Sequence, residues 1–317
     1  MKYKLKVYSI MEYGQRKDSS GKPHQEDAMF PEYGMQSDED RLFILCDGMG
    51  GHDAGEVASS AVCEAMSQTI LNDRDDIEGK FTSEDFTNAL DAAFRALDNK
   101  DTHAEKKMGT TLTFLKLHRD GAFIAHIGDS RVYHIRPGKS GSETIILHET
   151  SDHSLVNDLI KVGELTREEA RANGQKNVIT RAMQPHLDNP PKAEIYETAD
   201  IIAGDYFYLC SDGMLEQLEM DNGTSLKNIF SFEGGSTENK VEILKTVTEQ
   251  NKDNHSAFII NIEEVLPDHI APPDAESPSS DISMNPHHID YNKSLVIKIL
   301  CILVIIADLT ALASIVL

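Results

Sequence analysis

The sequence predicts an α+β fold built from antiparallel strand pairs. Strand-like apolar runs arrive mostly in adjacent pairs, not in regular alternation with helices, which disfavours a doubly wound parallel sheet. Stretches with helical periodicity and an apolar face lie between those pairs. A polar segment and then a long apolar run close the chain and add an expected transmembrane helix to the globular unit.

In order, the first strand is YKLKVYSI. Its lysines alternate with larger residues, unlike the continuous apolar core of a signal peptide. RLFILCDG is the second. Ala54 to Leu71 is alanine-rich and reads as a helix. Thr82 can cap a further helix running to Leu97, with Asp85 placed to complete a capping box. GTTLTFLKL is a strand, and LKLHRDGAFIAHI reads as a hairpin turning at Asp120-Gly121. In AFIAHIGDSRVYHI, Gly128-Asp129-Ser130-Arg131 interrupts what reads as a long hairpin. TIILHE follows, then a helical stretch from Asn157 to Asn173, the strand DYFYLCSDG, a helix from Ser236 to Gln250 and the strand AFIINIEEV.

These elements place a globular domain at 1–265. Residues 266–293, rich in Pro, Asp, Ser and His, read as a flexible linker. The segment 294–317 is apolar from Leu295 onward, long enough to cross a hydrocarbon core of ~30 Å. Lys298 can snorkel to the interface. Asp308 costs about 2.5–3.5 kcal/mol at membrane depth, which the many Leu, Ile and Val offset. Lys293 and Lys298 lie on the entry side, so the positive-inside rule keeps the domain cytoplasmic.

A formal net charge of -23 argues against a nucleic-acid partner, because nothing neutralises a phosphate backbone. Of the four cysteines, Cys46, Cys63, Cys210 and Cys301, none forms a CxxC pair. Cys46 and Cys210 sit inside apolar runs and read as packing residues.

The chemistry concentrates in acidic motifs at strand ends and turns: His24-Gln25-Glu26-Asp27-Ala28, Cys46-Asp47-Gly48-Met49-Gly50-Gly51-His52, Gly128-Asp129-Ser130-Arg131, Cys210-Ser211-Asp212-Gly213-Met214 and Asp253-Asn254-His255-Ser256. A lone Asp-Gly is most simply a turn. Several at the rims of strands would converge as carboxylates whose mutual repulsion calls for cations. Oxygen-only donors suit Mg²⁺ or Mn²⁺ over zinc.

The ordered set resembles the metal-dependent protein phosphatases, the PPM or type 2C serine/threonine phosphatases, in their bacterial branch. The resemblance runs from about Tyr13 to Ile262 and includes Gly109-Thr110-Thr111, Asp152-His153-Ser154 and Ile179-Thr180-Arg181-Ala182-Met183. It implies a central sandwich of two antiparallel β-sheets with α-helices on both faces. It implies that Asp47 bridges two metal ions, that the Gly48 carbonyl binds one, and that Asp212 and Asp253 hold the other. Glu26 matches a direct or water-mediated ligand, Asp27 a residue that orients the attacking water, and Asp129 the ligand of a third, weaker site. Asn254 is expected to support Asp253. Two cations ~3.5–4 Å apart can activate a shared water and neutralise phosphoryl oxygens, with no covalent nucleophile.

Three positions depart from the family. Lys22 stands where an arginine usually binds substrate phosphate, keeping the charge but losing the fork; Arg16 or Lys17 could compensate. Met49 replaces a histidine proposed in some relatives as general acid, so the leaving group is expected to take its proton from metal-bound water, with His52 as a weaker candidate. Gln184 replaces a usual glycine. The stretch Asp152 to Gln175 matches a flap beside the metals, where substrate selectivity is expected. The resulting expectation is a membrane-tethered phosphatase of phosphoserine and phosphothreonine in proteins, opposing a membrane serine/threonine kinase. A non-catalytic scaffold of the same fold and a hydrolase of small phosphate esters are the alternatives.

Overall fold

The computed structural model of the chain describes residues 2–15, 21–50, 53–72, 79–101, 108–139, 141–175, 178–218 and 224–266. The chain divides into two units, Met1–His269 and Ile270–Leu317. The apolar C-terminal segment lies outside the described residues, as do Arg16, Lys17 and His52. Among the described residues no helix is long and apolar enough to cross a membrane.

The elements are β1 (Lys2–Glu12), β2 (Asp27–Phe30), β3 (Leu42–Met49), α1 (Asp53–Asn72), α2 (Ser83–Lys100), β4 (Gly109–Thr110), β5 (Leu112–His118), β6 (Gly121–Ile127), β7 (Arg131–Arg136), β8 (Ile145–Glu149), α3 (Leu155–Lys161), α4 (Arg167–Ala172), β9 (Glu194–Thr198), β10 (Tyr206–Cys210), α5 (Thr224–Ile229), α6 (Thr237–Thr248) and β11 (His255–Leu266). They form two sheets. One has the order β1-β11-β10-β7-β8; the other runs β2-β3-β5-β6-β9, with β4 beside β3. The strand pairs are antiparallel, as expected.

Strand alternation sorts the side chains into layers. Phe43 and Leu45 of β3 face inward and meet Phe207, Leu209, Phe258 and Ile260 of the other sheet. Phe43 and Phe258 touch edge-on, with centroids 5.3 Å apart. The alternate residues Leu42, Ile44 and Cys46 face outward and pack beneath Val62 and Met66 of α1 and Phe86 and Leu97 of α2. On the opposite face Tyr208, Cys210 and Ile259 pack under Leu226 of α5 and Leu244 of α6. Both faces of each sheet are therefore covered, so the strands read as near-continuous apolar runs.

The Thr82 capping box forms as expected: Thr82 Oγ1 accepts from Asp85 N, and the Asp85 carboxylate accepts from Thr82 N. The stretch 157–173 holds two short helices. Between α3 and α4 the chain turns through Gly163 at φ 79°. The long hairpin expected at 122–135 does not form. The break at Gly128-Asp129-Ser130 is a crossover, because β6 belongs to one sheet and β7 to the other.

Candidate active site

The topology carries the acidic motifs to one end of the sandwich. Asp47 lies near the end of β3, and β2 starts opposite it, so Asp27 and Asp47 are direct register partners. Cys210, the last residue of β10, pairs with Arg131 at the start of β7 and with Ala257 near the start of β11. Asp212, Asp129 and Asp253 are thereby gathered at that same end. The electrostatic reach of Asp47 includes Asp27, Asp212, Asp129 and Asp253.

Local hydrogen bonds fix each group. Thr111 Oγ1 accepts from Asp47 N at 2.9 Å and contacts Ser130 Oγ at 2.8 Å. The hydroxyl of Thr110 and the backbone N–H of Thr111 each donate to Asp47 O at 2.9 Å. The Ser211 hydroxyl donates to Asp27 Oδ2 at 3.0 Å. Gly48 N donates to Glu26 O at 3.0 Å, and a Cβ on Gly48 would lie 2.2 Å from Gly55 O, so α1 can approach only because this residue is glycine. A Cβ on Gly213 would likewise lie 2.0 Å from Asn254 O.

Asn254 has a wider role than the sequence suggests. Its side chain donates to Tyr13 O and His24 O, both at 2.8 Å, and accepts from Glu26 N at 2.8 Å. Its contact with Asp253 comes from the backbone: Asn254 N donates to Asp253 Oδ1 at 3.0 Å. Asn254 thus staples the ends of β1 and β11 to the Glu26 turn.

Burial, followed by neighbouring carboxylates, pushes the acids upward. Asp27 rises to about 7, Asp129 to about 8 and Asp212 to about 6, and Asp47 rises well above its usual range. Asp129 Oδ1 is buried with no hydrogen-bond partner among the described residues. A packed group of carboxylates with an orphaned oxygen fits hard divalent cations, which supply the missing positive charge and take oxygen donors.

The departures are placed as well. Lys22 is exposed in the stretch before β2. Met49 pairs with Gly109 across β3 and β4. Gln184 lays its side chain over Gly109, where a Cβ would meet it at 3.1 Å. Cys46 and Cys210 are buried in their strands, and burial pushes both thiols up, which fits packing and not nucleophilic attack.

Sequence reasoning missed the grip that Thr111 and Ser211 exert on the two facing aspartates. It also missed a neighbouring group, His126, His153 and Glu194, whose ligand-type atoms lie within 4.8 Å of one another. His126 sits among apolar neighbours in sequence, where a core role is the simpler reading, and His153 lies between Asp152 and Ser154 with no second histidine beside it to suggest a group.

A two-sheet sandwich between helical layers, with oxygen donors converging at one end, is the architecture of a metal-dependent phosphatase. The protein phosphatase 2C family profile matches residues 13–246, and the chain belongs to that family; its enzyme class is protein-serine/threonine phosphatase. It is 37% identical over 194 residues to protein phosphatase PhpP of Streptococcus pneumoniae, covering 59% of this chain and 72% of that protein. Over 181 residues it is 37% identical to PstP of Mycobacterium tuberculosis, covering 55% of this chain and 32% of that protein. The fold superposes on Stp1 of Staphylococcus aureus with a TM-score of 0.61 at 30% identity, over 82% of this chain and 95% of that one. It also superposes on the catalytic domain of PstP in complex with two manganese ions, with a TM-score of 0.62 at 26% identity, over 81% and 97%.

Proposed function

We propose that the chain hydrolyses phosphoserine and phosphothreonine in proteins with Mn²⁺ or Mg²⁺, two ions per site and a third at Asp129. The observation that carries this reading is the meeting of Asp27, Asp47, Asp129, Asp212 and Asp253 at one end of the sandwich, where burial and mutual repulsion oppose full ionisation without cations. Asp47 would bridge the two ions, with the Gly48 carbonyl and Glu26 on one and Asp212 and Asp253 on the other. When bound, such ions acidify a coordinated water and neutralise developing charge on phosphoryl oxygens. Asp27, whose carboxylate accepts from the Ser211 hydroxyl, would orient the attacking water. Lys22 offers an exposed ammonium to the substrate phosphate as a point charge, without the fork of an arginine. Manganese in the PstP catalytic domain supports the choice of metal.

The test is phosphothreonine-peptide hydrolysis with Mn²⁺, with and without chelator, beside Asp47→Asn and Asp212→Asn. Each variant is expected to lose on the order of 10³-fold in kcat. Activity in chelator, or full activity in both variants, would overturn the mechanism. Tight Mn²⁺ binding with no activity on any phosphopeptide would favour a scaffold.

We further propose that residues 1–265 form the catalytic domain, 266–293 a linker and 294–317 a single membrane helix. This would hold the domain at the cytoplasmic face, among phosphoproteins produced by a membrane serine/threonine kinase. The apolar run after Leu295 supports this reading. Full-length protein should sediment with membranes and require detergent for release; recovery in the soluble fraction without detergent would refute the tether.

A further inference from the structure

The trio His126, His153 and Glu194 has the composition of a cation site, with three ligand-type atoms within 4.8 Å of one another. Its hydrogen bonds argue for a different use. Gly128 N donates to His153 Nδ1 at 3.1 Å. A neutral imidazole has a single ring lone pair, so the proton of His153 sits on Nε2. That nitrogen faces Glu194 Oε1 at 3.1 Å. Arg181 Nη1 lies 3.6 Å from the same carboxylate oxygen and 3.4 Å from Nε2, so Glu194 is the acceptor for both groups. A cation on Nε2 would displace that proton. It would then require either loss of the Gly128 bond or an imidazolate.

His153 grips Gly128 twice. Its own backbone N donates to Gly128 O at 2.9 Å, while its ring accepts from Gly128 N. Both polar atoms of the residue that precedes Asp129 are therefore held by one partner. The His153 side chain is 1% exposed, and His126 stacks on it with centroids 4.6 Å apart and planes at 15°. His126 Nε2 is in turn fixed on Ser151 O at 3.0 Å. On the far side of the crossover, Arg131 makes two bonds of 2.6 Å to the Asp152 carboxylate. Gly128 cannot be replaced as the hinge: it stands at φ +109°, and a Cβ would meet Thr111 at 2.7 Å.

We propose that His153 is a positioning residue. Oriented by Glu194 of β9, it pins the Gly128 peptide so that Asp129 is aimed before any cation arrives. This role rests on the metal function proposed for Asp129. It follows the general pattern in which residues behind a ligand set the ligand's orientation.

The experiment compares His153→Leu, His153→Asn and Asp129→Asn in the full-length protein. Asparagine can present an oxygen where Nδ1 stood, but it cannot reach Glu194. The readouts are Gly128 amide exchange in chelator, Mn²⁺ binding counted by electron paramagnetic resonance, and separate kcat and KM values. His153→Leu should speed Gly128 exchange at least tenfold. It should weaken the lowest-affinity class of Mn²⁺ by about 10–100-fold and leave KM unchanged. His153→Asn should restore protection and most of the affinity. If Asp129→Asn weakens that Mn²⁺ class while His153→Leu changes neither exchange nor affinity, the positioning role is wrong and the Asp129 reading stands. If Asp129→Asn leaves Mn²⁺ binding intact, the Asp129 reading itself fails. Should His153→Leu not fold, Glu194→Ala, which removes the acceptor for Nε2–H, carries the comparison, and unchanged Gly128 exchange and Mn²⁺ binding in it overturn the proposal. Stoichiometric Zn²⁺ binding that disappears in His153→Asn would make the trio a cation site instead.

Discussion

Asp27 and Asp47 face each other across paired strands, an arrangement that destabilises a sheet when both side chains are charged. With cations removed, the site works against folding. The carboxyls of Asp27, Asp129 and Asp212 titrate near 7, 8 and 6, above their unfolded values of about 4. A raised folded pKa means that stability is fully present below pH ~4 and is lost as pH rises through 6–8. Asp47→Asn removes one of the repelling charges. In chelator at pH 8 it should melt higher than the parent chain, by about 2–4 °C for each kcal/mol gained, with no difference near pH 4. Differential scanning calorimetry with chelator at both pH values checks this; a lower melting temperature for the variant at pH 8 would contradict it. Asp47 and Asp212 were legible in the sequence because each closes an apolar strand with a glycine turn, whereas Asp27 and Asp253, which stand at or before the start of a strand, were legible only as members of the ordered set of motifs. Asn254 was only half legible: its place beside Asp253 is local, but the bonds to Tyr13, His24 and Glu26 depend on chain segments far apart in sequence. His153 was legible only as part of the Asp152-His153-Ser154 motif; its role was not, since the meaning of its ring lies in the contact with Gly128.

At the level of elements, helix starts were read best where side chain and backbone cooperate locally. Thr82 and Asp85 close their capping box three residues apart, and Ser236 accepts from Asn239 N at the head of α6. Thr82→Ala should cost about 1 kcal/mol and lower the melting temperature by about 2–4 °C, with kcat unchanged, because α2 contributes to the outer core and not to the acidic end. A melting curve and an activity assay on the same sample check it. The strands expected from sequence were the long apolar ones. β2 and β9 were not, and for physical reasons. β2 has four residues and begins on a charged one, while the β9 residues Glu194–Thr198 are polar or only partly buried at a sheet edge. Pattern alone could not show that the chain changes sheets at Gly128, because the runs on either side are equally apolar.

Across the whole molecule, the α+β class and antiparallel pairing follow from strands arriving in pairs. The division into two sheets does not, because the same apolar runs would serve either sheet. That division places Asp47 and Asp27 on one sheet and the residues flanking β10 and β11 on the other, so the acidic end exists only when the sheets are docked. β1 adds a further condition. Its residues Lys2–Glu12 pair along their length with His255–Leu266. During synthesis, the first strand made must therefore wait for the last strand of the domain, holding its edge unpaired while more than two hundred residues are added. Asp253 and Asn254 arrive with that last strand. No growing chain that lacks it can assemble the acidic end, so the carboxylate cluster is complete only once the last strand of the domain has been made.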